Sequence, residues 1–228
     1  MSRGPREAGE GVIDAAARRA ALVEVYNHAS ICQRCPLHET RDRVVFGAGN
    51  ADAELIFVGE APGAEEDRQG LPFVGRAGAF LSEMLEGIGM SRQQVFVANV
   101  LKCRPPGNRD PQPEEIDSCR PYLERQVELI EPALICTLGN FATKLLTGNP
   151  TGITQVRGTV QEHTLGGRRV MLLPLFHPAA GLRTPRVAEQ LRQDFQLIPE
   201  LLATPLPQPG ELEPERVAAG AHQLDLLG

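Results

Sequence analysis

Four residues in this 228-residue chain have the side chains for work on a flat polar ring: Glu60, Phe73, Asn99 and His177. Glu60 and Phe73 lie in Gly59–Gly78 (GEAPGAEEDRQGLPFVGRAG), a stretch of five glycines, two prolines, four acids and one phenylalanine. Glycine lets a backbone approach something closely, and an aromatic isolated among polar residues reads as an exposed stacking surface. Asparagine carries one acceptor and two donors on a flat amide, enough to read a nucleobase edge. Histidine before proline, as in His177-Pro178, can donate to a developing anion.

A second group is sulfur-rich. Of five cysteines, Cys32 and Cys35 form a C-x2-C pair, while Cys103 and Cys119 lie downstream with fifteen residues between them. Cys136, between Ile135 and Thr137, reads as a small core residue. Four thiolates hold zinc or an iron–sulfur cluster. Structural zinc usually takes two close pairs; only one is close here, which leans towards a cluster and leaves zinc open. Pro36, Pro105 and Pro121 beside three of the four suggest loops and helix ends, where side chains can converge.

These residues need a frame. Apolar runs at 54–58, 95–100, 133–138 and 170–176 read as buried strands. Helical spacing appears at 13–28, 76–88, 113–130, 139–147 and 185–203. Strands alternating with helices predict a parallel sheet covered on both faces. The Gly59 loop, Asn99 and His177 each follow a strand, so a parallel sheet brings them to one edge, where open α/β sheets bind ligands. Residues 1–11 read as disordered, 12–203 as one domain, and 204–228 as a Pro/Gly/Glu-rich linker ending in a short apolar peptide.

Composition bounds the reading. A formal charge of −6 argues against a protein that simply coats nucleic acid, although local basic loops matter more than the total. No stretch is long and apolar enough to span a membrane, and no signal-peptide core appears, so a cytoplasmic location is expected. Thiols there stay reduced, which favours metal over disulfides.

The segments GEAPGAEEDRQGLPFVGRAG, NVLKCRPPGNRDP and HPAAGLR, with the four cysteines, cover most of residues 30–200. In combination they resemble the uracil-DNA glycosylase superfamily, and within it the iron–sulfur family 4 branch. The resemblance implies a three-layer α/β/α sandwich around a four-stranded parallel sheet. It implies a 4Fe-4S cluster on Cys32, Cys35, Cys103 and Cys119. It also implies hydrolysis of the N-glycosidic bond of deoxyuridine in single- or double-stranded DNA, leaving an abasic site.

By resemblance, Phe73 stacks on the extruded uracil, Asn99 pairs with its O4 and N3, and Gly59 and Ala61 complete the base pocket. His177 donates to O2, and Glu60 positions or activates water. Glu66 and Asn108 occupy positions the family uses around the site. Leu182 is the only sizeable wedge in its loop, and Arg183, Arg104 and Arg109 are candidate phosphate contacts. With no nucleophilic lysine at the motif, a monofunctional enzyme is expected. A related branch traps itself covalently through a histidine in a basic insert after the second motif; CRPPGNRDP lacks it, so turnover is expected.

Rival readings are a uracil-DNA-binding protein that cleaves weakly or not at all, a glycosylase of broader deaminated-base range, and an electron-transfer iron–sulfur protein. The last residues, Gln223, Leu224, Asp225, Leu226 and Leu227, resemble the bacterial sliding-clamp-binding peptide. No membrane partner is expected, and the protein is expected to be a monomer.

Overall fold

The structure, a computed structural model, describes residues 14–204. The expected disordered N-terminus, the linker and the peptide at 223–227 lie outside the described residues. Helix α1 (Ala15–Ser30) opens on Asp14, whose Oδ1 accepts the Ala17 amide at 2.7 Å and satisfies a donor the first turn leaves unpaired. Buried Arg18 ion-pairs with Asp52 and Glu131, tying this helix to the sheet.

Strand β1 (Ala48–Gly49) is a two-residue edge, and β2 (Leu55–Gly59) is buried along its whole length. Helix α2 (Ala64–Gln69) then interrupts the stretch that reads as open loop, and ends at Gly70 with φ 74°. Helix α3 (Arg76–Glu86) leads to β3 (Phe96–Asn99). Helix α4 (Pro113–Ile130) starts with proline in its first turn and a reciprocal capping box between Gln112 and Glu115. Buried strand β4 (Leu134–Leu138), helix α5 (Asn140–Thr147) and the one-turn α6 (Ile153–Val156) follow.

Strands β5 (Gln161–Leu165) and β6 (Arg168–Leu175) form a hairpin. Its turn is Gly166–Gly167, both at positive φ (57° and 71°), as a twist-matched two-residue turn requires. Short helix α7 (Pro178–Gly181), α8 (Pro185–Phe195) and α9 (Ile198–Ala203) complete the described chain. The single helix expected at 185–203 is two, with Pro199 in the first turn of the second.

The sheet order is β1-β3-β2-β4-β6-β5. The four central strands are parallel, as expected, and the sheet gains an antiparallel strand at each edge, making six. Alternate residues of β2 face opposite layers. Ile56 and Val58 pack with Leu22 of α1 and Leu123 and Val127 of α4, whereas Leu55 and Phe57 pack with Leu81 of α3 and Leu191 and Phe195 of α8. Helices therefore cover both faces of the sheet.

Candidate functional site

Because the central strands are parallel, their C-terminal ends open on one side. Gly59 pairs directly with Asn99 across β2 and β3, while the Gly139 amide donates to the Leu175 carbonyl at 2.8 Å beside the end of β6. A cavity of about 570 Å³ lies over these ends, and Glu60, Ala61, Phe73, Asn99, Asn108 and His177 line it. These residues, nominated from separate parts of the sequence, share one wall.

Gly59 permits that convergence. A Cβ there would stand 2.4 Å from Asn99 Oδ1 and 2.8 Å from the Phe73 ring. Asn99 is 2% exposed, and its Oδ1 is buried with no hydrogen-bond partner among the described residues. An unpaired buried acceptor costs a fold about 1–3 kcal/mol, which a donor on a bound ring would recover.

Phe73 departs from the exposed surface that its polar neighbours suggest. It is 7% exposed, and its ring stacks on His177 with centroids 5.6 Å apart and an interplanar angle of 28°. Its φ is 51°, a left-handed conformation costly for a bulky residue. The surroundings hold it there. Glu66 Oε1 accepts the Val74 and Gly75 amides at 3.1 and 3.2 Å, and Arg92 donates to the Pro72 carbonyl at 2.6 Å. Gly78 packs so tightly that a Cβ would fall 1.7 Å from the Phe73 carbonyl oxygen. Glu66, whose function the sequence leaves open, thus braces the strained turn.

His177 caps α7, its Nδ1 accepting the Ala179 amide at 3.1 Å. A backbone N–H can only donate, so in the neutral ring the proton is on Nε2. Burial pushes this histidine down to about 4, against a smaller upward pull from the Glu66 charge. The site therefore holds a neutral imidazole with an N–H donor.

Glu60 is half-buried, and burial, with a smaller contribution from the Asp110 charge, raises its carboxyl above the usual range. Asp110, which nothing in the sequence sets apart from solvated loop charge, also lines the cavity. Asn108, at φ 55°, accepts from Arg104 Nε at 2.7 Å. Arg109, expected at phosphates, lines the cavity as well and is held in a two-point pair with buried Glu115 at 2.9 and 2.5 Å. Arg183 reaches the cavity, and Leu182 beside it is 39% exposed.

The four cysteines lie on the α1–α4 side of the sheet. Cys103 and Cys119 are buried; Cys103 lies in the loop after β3, as expected, but Cys119 sits within α4 itself, with Pro121 also helical, so the expectation of a loop or helix end fails for that residue. The group is rich in donors. Arg41 Nη1 donates to Cys103 Sγ at 3.3 Å and to the Cys32 carbonyl at 2.8 Å. Burial raises the Cys32 thiol, but hydrogen bonds to Tyr122 and Arg34 outweigh it and leave the thiol below its usual range. The Lys102 backbone amide hydrogen-bonds Cys119.

Burial raises the other three thiols, Cys103 to about 11, and the nearby Arg41 and Lys102 offset that rise only in part. Among the described residues no three His, Cys, Asp or Glu side chains converge on a single metal ion. The four thiols nonetheless lie near enough to act electrostatically on one another, Cys103 with Cys35 and Cys119, and Cys119 with Cys32. Cys136 is fully buried in β4, as its flanks predict.

Comparison with known proteins agrees with this geometry. The family model described as "Uracil DNA glycosylase superfamily" matches residues 46–198. A type-4 uracil-DNA glycosylase of Archaeoglobus fulgidus is 45% identical over 79% of this chain and 93% of its own length. Proteins of the same name from Sulfurisphaera tokodaii (43%; 81% of this chain, 86% of that protein) and Thermotoga maritima (46%; 72% and 85%) are similarly related. The match spans the cavity-lining strand ends and the sheet that carries them, so the chain belongs to the uracil-DNA glycosylase superfamily, in its type-4 branch.

Proposed function

We propose that the cavity receives a uracil base extruded from DNA and that the residues around it cut the base free. The protein excises uracil from DNA in repair. The observation that carries the assignment of roles is the unpaired Asn99 Oδ1 beside a neutral His177.

Uracil N3 bears a hydrogen and O4 accepts, so Asn99 Oδ1 takes the N3–H while its amide nitrogen donates to O4. Cytosine reverses both positions: N3 accepts and N4 donates. Thymine differs only by a C5 methyl and is excluded by crowding from the Gly59–Gly63 loop or a neighbouring side chain. A base within a duplex must be flipped to reach this depth, which is easiest where pairing is already poor, as in a uracil–guanine mismatch. Leu182 fills the space left behind, and Arg183 and Arg104 meet phosphates.

When the C1′–N1 bond breaks, its electron pair stays on uracil and negative charge grows on O2. His177 Nε2–H donates to that oxygen. Being neutral, it stabilises the anion without giving up its proton. Phe73 supplies an aromatic wall for the base and holds the His177 ring in place. Water adds to C1′ and loses its proton to Glu60 or to solvent. The products are free uracil, protonated from solvent, and an abasic sugar.

Cys32, Cys35, Cys103 and Cys119 would hold a 4Fe-4S cluster. Bound, it supplies cross-links between the segment after α1, the loop after β3 and α4. The hydrolysis itself is redox-neutral. Residues 12–203 form the catalytic unit of this reading, working as a monomer in the cytoplasm beside the nucleoid. Residues 204–228 tether it to the sliding clamp through Gln223–Leu227, whose alternating leucines suit an apolar pocket.

The decisive assay incubates purified protein with oligonucleotides bearing one uracil, hypoxanthine or hydroxymethyluracil, single-stranded or opposite guanine. Release of free uracil with an alkali-labile site is expected. Tight binding of the uracil strand without cleavage would leave a binding protein instead.

A further inference from the structure

Lys102 is a lysine at 1% exposure, lying between the cavity and the cysteines. Its Nζ donates to the Asn99 backbone carbonyl at 2.8 Å and to Gln126 Oε1 at 2.7 Å. Gln126 is itself fully buried in α4, and its Nε2 donates to the Phe46 carbonyl at 2.8 Å. The ammonium also lies 5.8 Å from the Phe46 ring centroid. Both of these hydrogen-bond acceptors are neutral oxygens. A buried ammonium is costly unless a counter-charge stands near it.

As cluster ligands the cysteines would supply that charge. Cys103 follows Lys102 in the chain, and Cys119 accepts from the Lys102 backbone amide. One residue thus touches a cysteine sulfur with its backbone and the Asn99 carbonyl with its side chain. We infer that Lys102 is a positioning residue that lets the charged cysteine quartet fix the backbone of Asn99, and with it the amide that reads the base. The inference rests on the reading of the four cysteines as cluster ligands. Under it, the cluster contributes to base reading through a hydrogen-bonded strut as well as to folding.

The test uses the full chain, wild type and as Lys102→Met and Gln126→Leu. Iron per protein and visible absorbance come first: wild-type protein without iron overturns the cluster reading and this inference with it. With iron present, Lys102→Met is expected to keep the wild-type iron content and to lose about tenfold or more in single-turnover uracil release, with KM within about threefold. Amide exchange at residues 99–101 should quicken while β4 stays protected, and affinity for abasic DNA should hold.

A wild-type rate at full iron content overturns the proposal. If Lys102→Met does not fold, Gln126→Leu decides, since it removes one anchor and keeps the charge. A slower rate at full iron supports the strut, and an unchanged rate refutes it. Loss of iron from both variants also refutes it, because the two side chains would then serve cluster retention.

Discussion

Asn99 keeps a buried oxygen unpaired, so its amide answers to whatever enters the cavity. Asn99→Asp replaces the donor that meets O4 with a second acceptor. Uracil release should fall by about 10–100-fold, and cytosine excision should become measurable on a matched oligonucleotide. Unchanged discrimination would remove Asn99 from the reading role. Glu60 and His177 separate by pH. His177 stands at about 4 in the fold against an ordinary value near 6.5. The unfolded chain binds more protons between those values, so this residue's share of stability is complete above about pH 6.5 and is lost as the pH falls towards 4.

The ring therefore stays neutral over the ordinary working range, and the acid limb of the rate profile is expected to belong to Glu60. Its raised carboxyl carries the opposite sign: the fold loses stability as pH rises through the carboxylate range. Glu60→Gln should flatten the acid limb, slow release by about 10²–10⁴-fold and raise the melting temperature at neutral pH. His177→Ala should slow release by about 10²–10³-fold with a smaller effect on binding, and leave the acid limb in place. Glu60, Phe73, Asn99 and His177 were legible because residue type and strand-end position coincide. Asp110 was not, since an acid in a Pro/Gly loop looks like ordinary solvated charge until the fold turns it towards Glu60.

At the scale of elements, the connection from β2 to α3 is a braced turn around Phe73. Glu66→Ala removes the acceptor of two amides, so hydrogen exchange at Val74 and Gly75 should accelerate and uracil release should drop by up to ~10²-fold through misplacement of the ring. Unchanged exchange would show that Gly78 and Arg92 suffice. The central strands were readable because strands buried on both faces are continuously apolar. Strand β1 is too short to leave a pattern, and β5 (Gln161–Leu165) is a polar, half-exposed edge. Its Gly166–Gly167 turn was nonetheless a hairpin signal in plain view. Helix α2 was hidden by the glycines around it.

Across the whole molecule, the sheet separates two regions by the residue types they need. The cavity opens at the strand ends, and the cysteines lie on the α1–α4 side, Cys119 within α4 itself, with the Lys102 ammonium donating to the Asn99 carbonyl. Deleting residues 221–228 should abolish binding to the sliding clamp in a pull-down while leaving uracil release within about twofold, because the residues lining the cavity all lie within 60–183. Retained binding would dispose of the tether. The proline near Cys103 marked a loop that the structure bears out, whereas the proline after Cys119 lies inside α4, so the sequence pattern misplaced that cysteine.

The left-handed backbone at Phe73 has a consequence for anyone selecting hardier variants of this protein. Such a conformation costs a non-glycine residue about 1–3 kcal/mol, and glycine would relieve it while discarding the ring. Burial opposes that relief: the ring is 7% exposed and part of the core, and truncating a buried phenylalanine costs about 3–5 kcal/mol, so selection for heat resistance alone keeps position 73 as firmly as selection for activity does. Libraries for that purpose can leave Phe73 constant at no cost and look for their gains at positions where strain is not offset by burial.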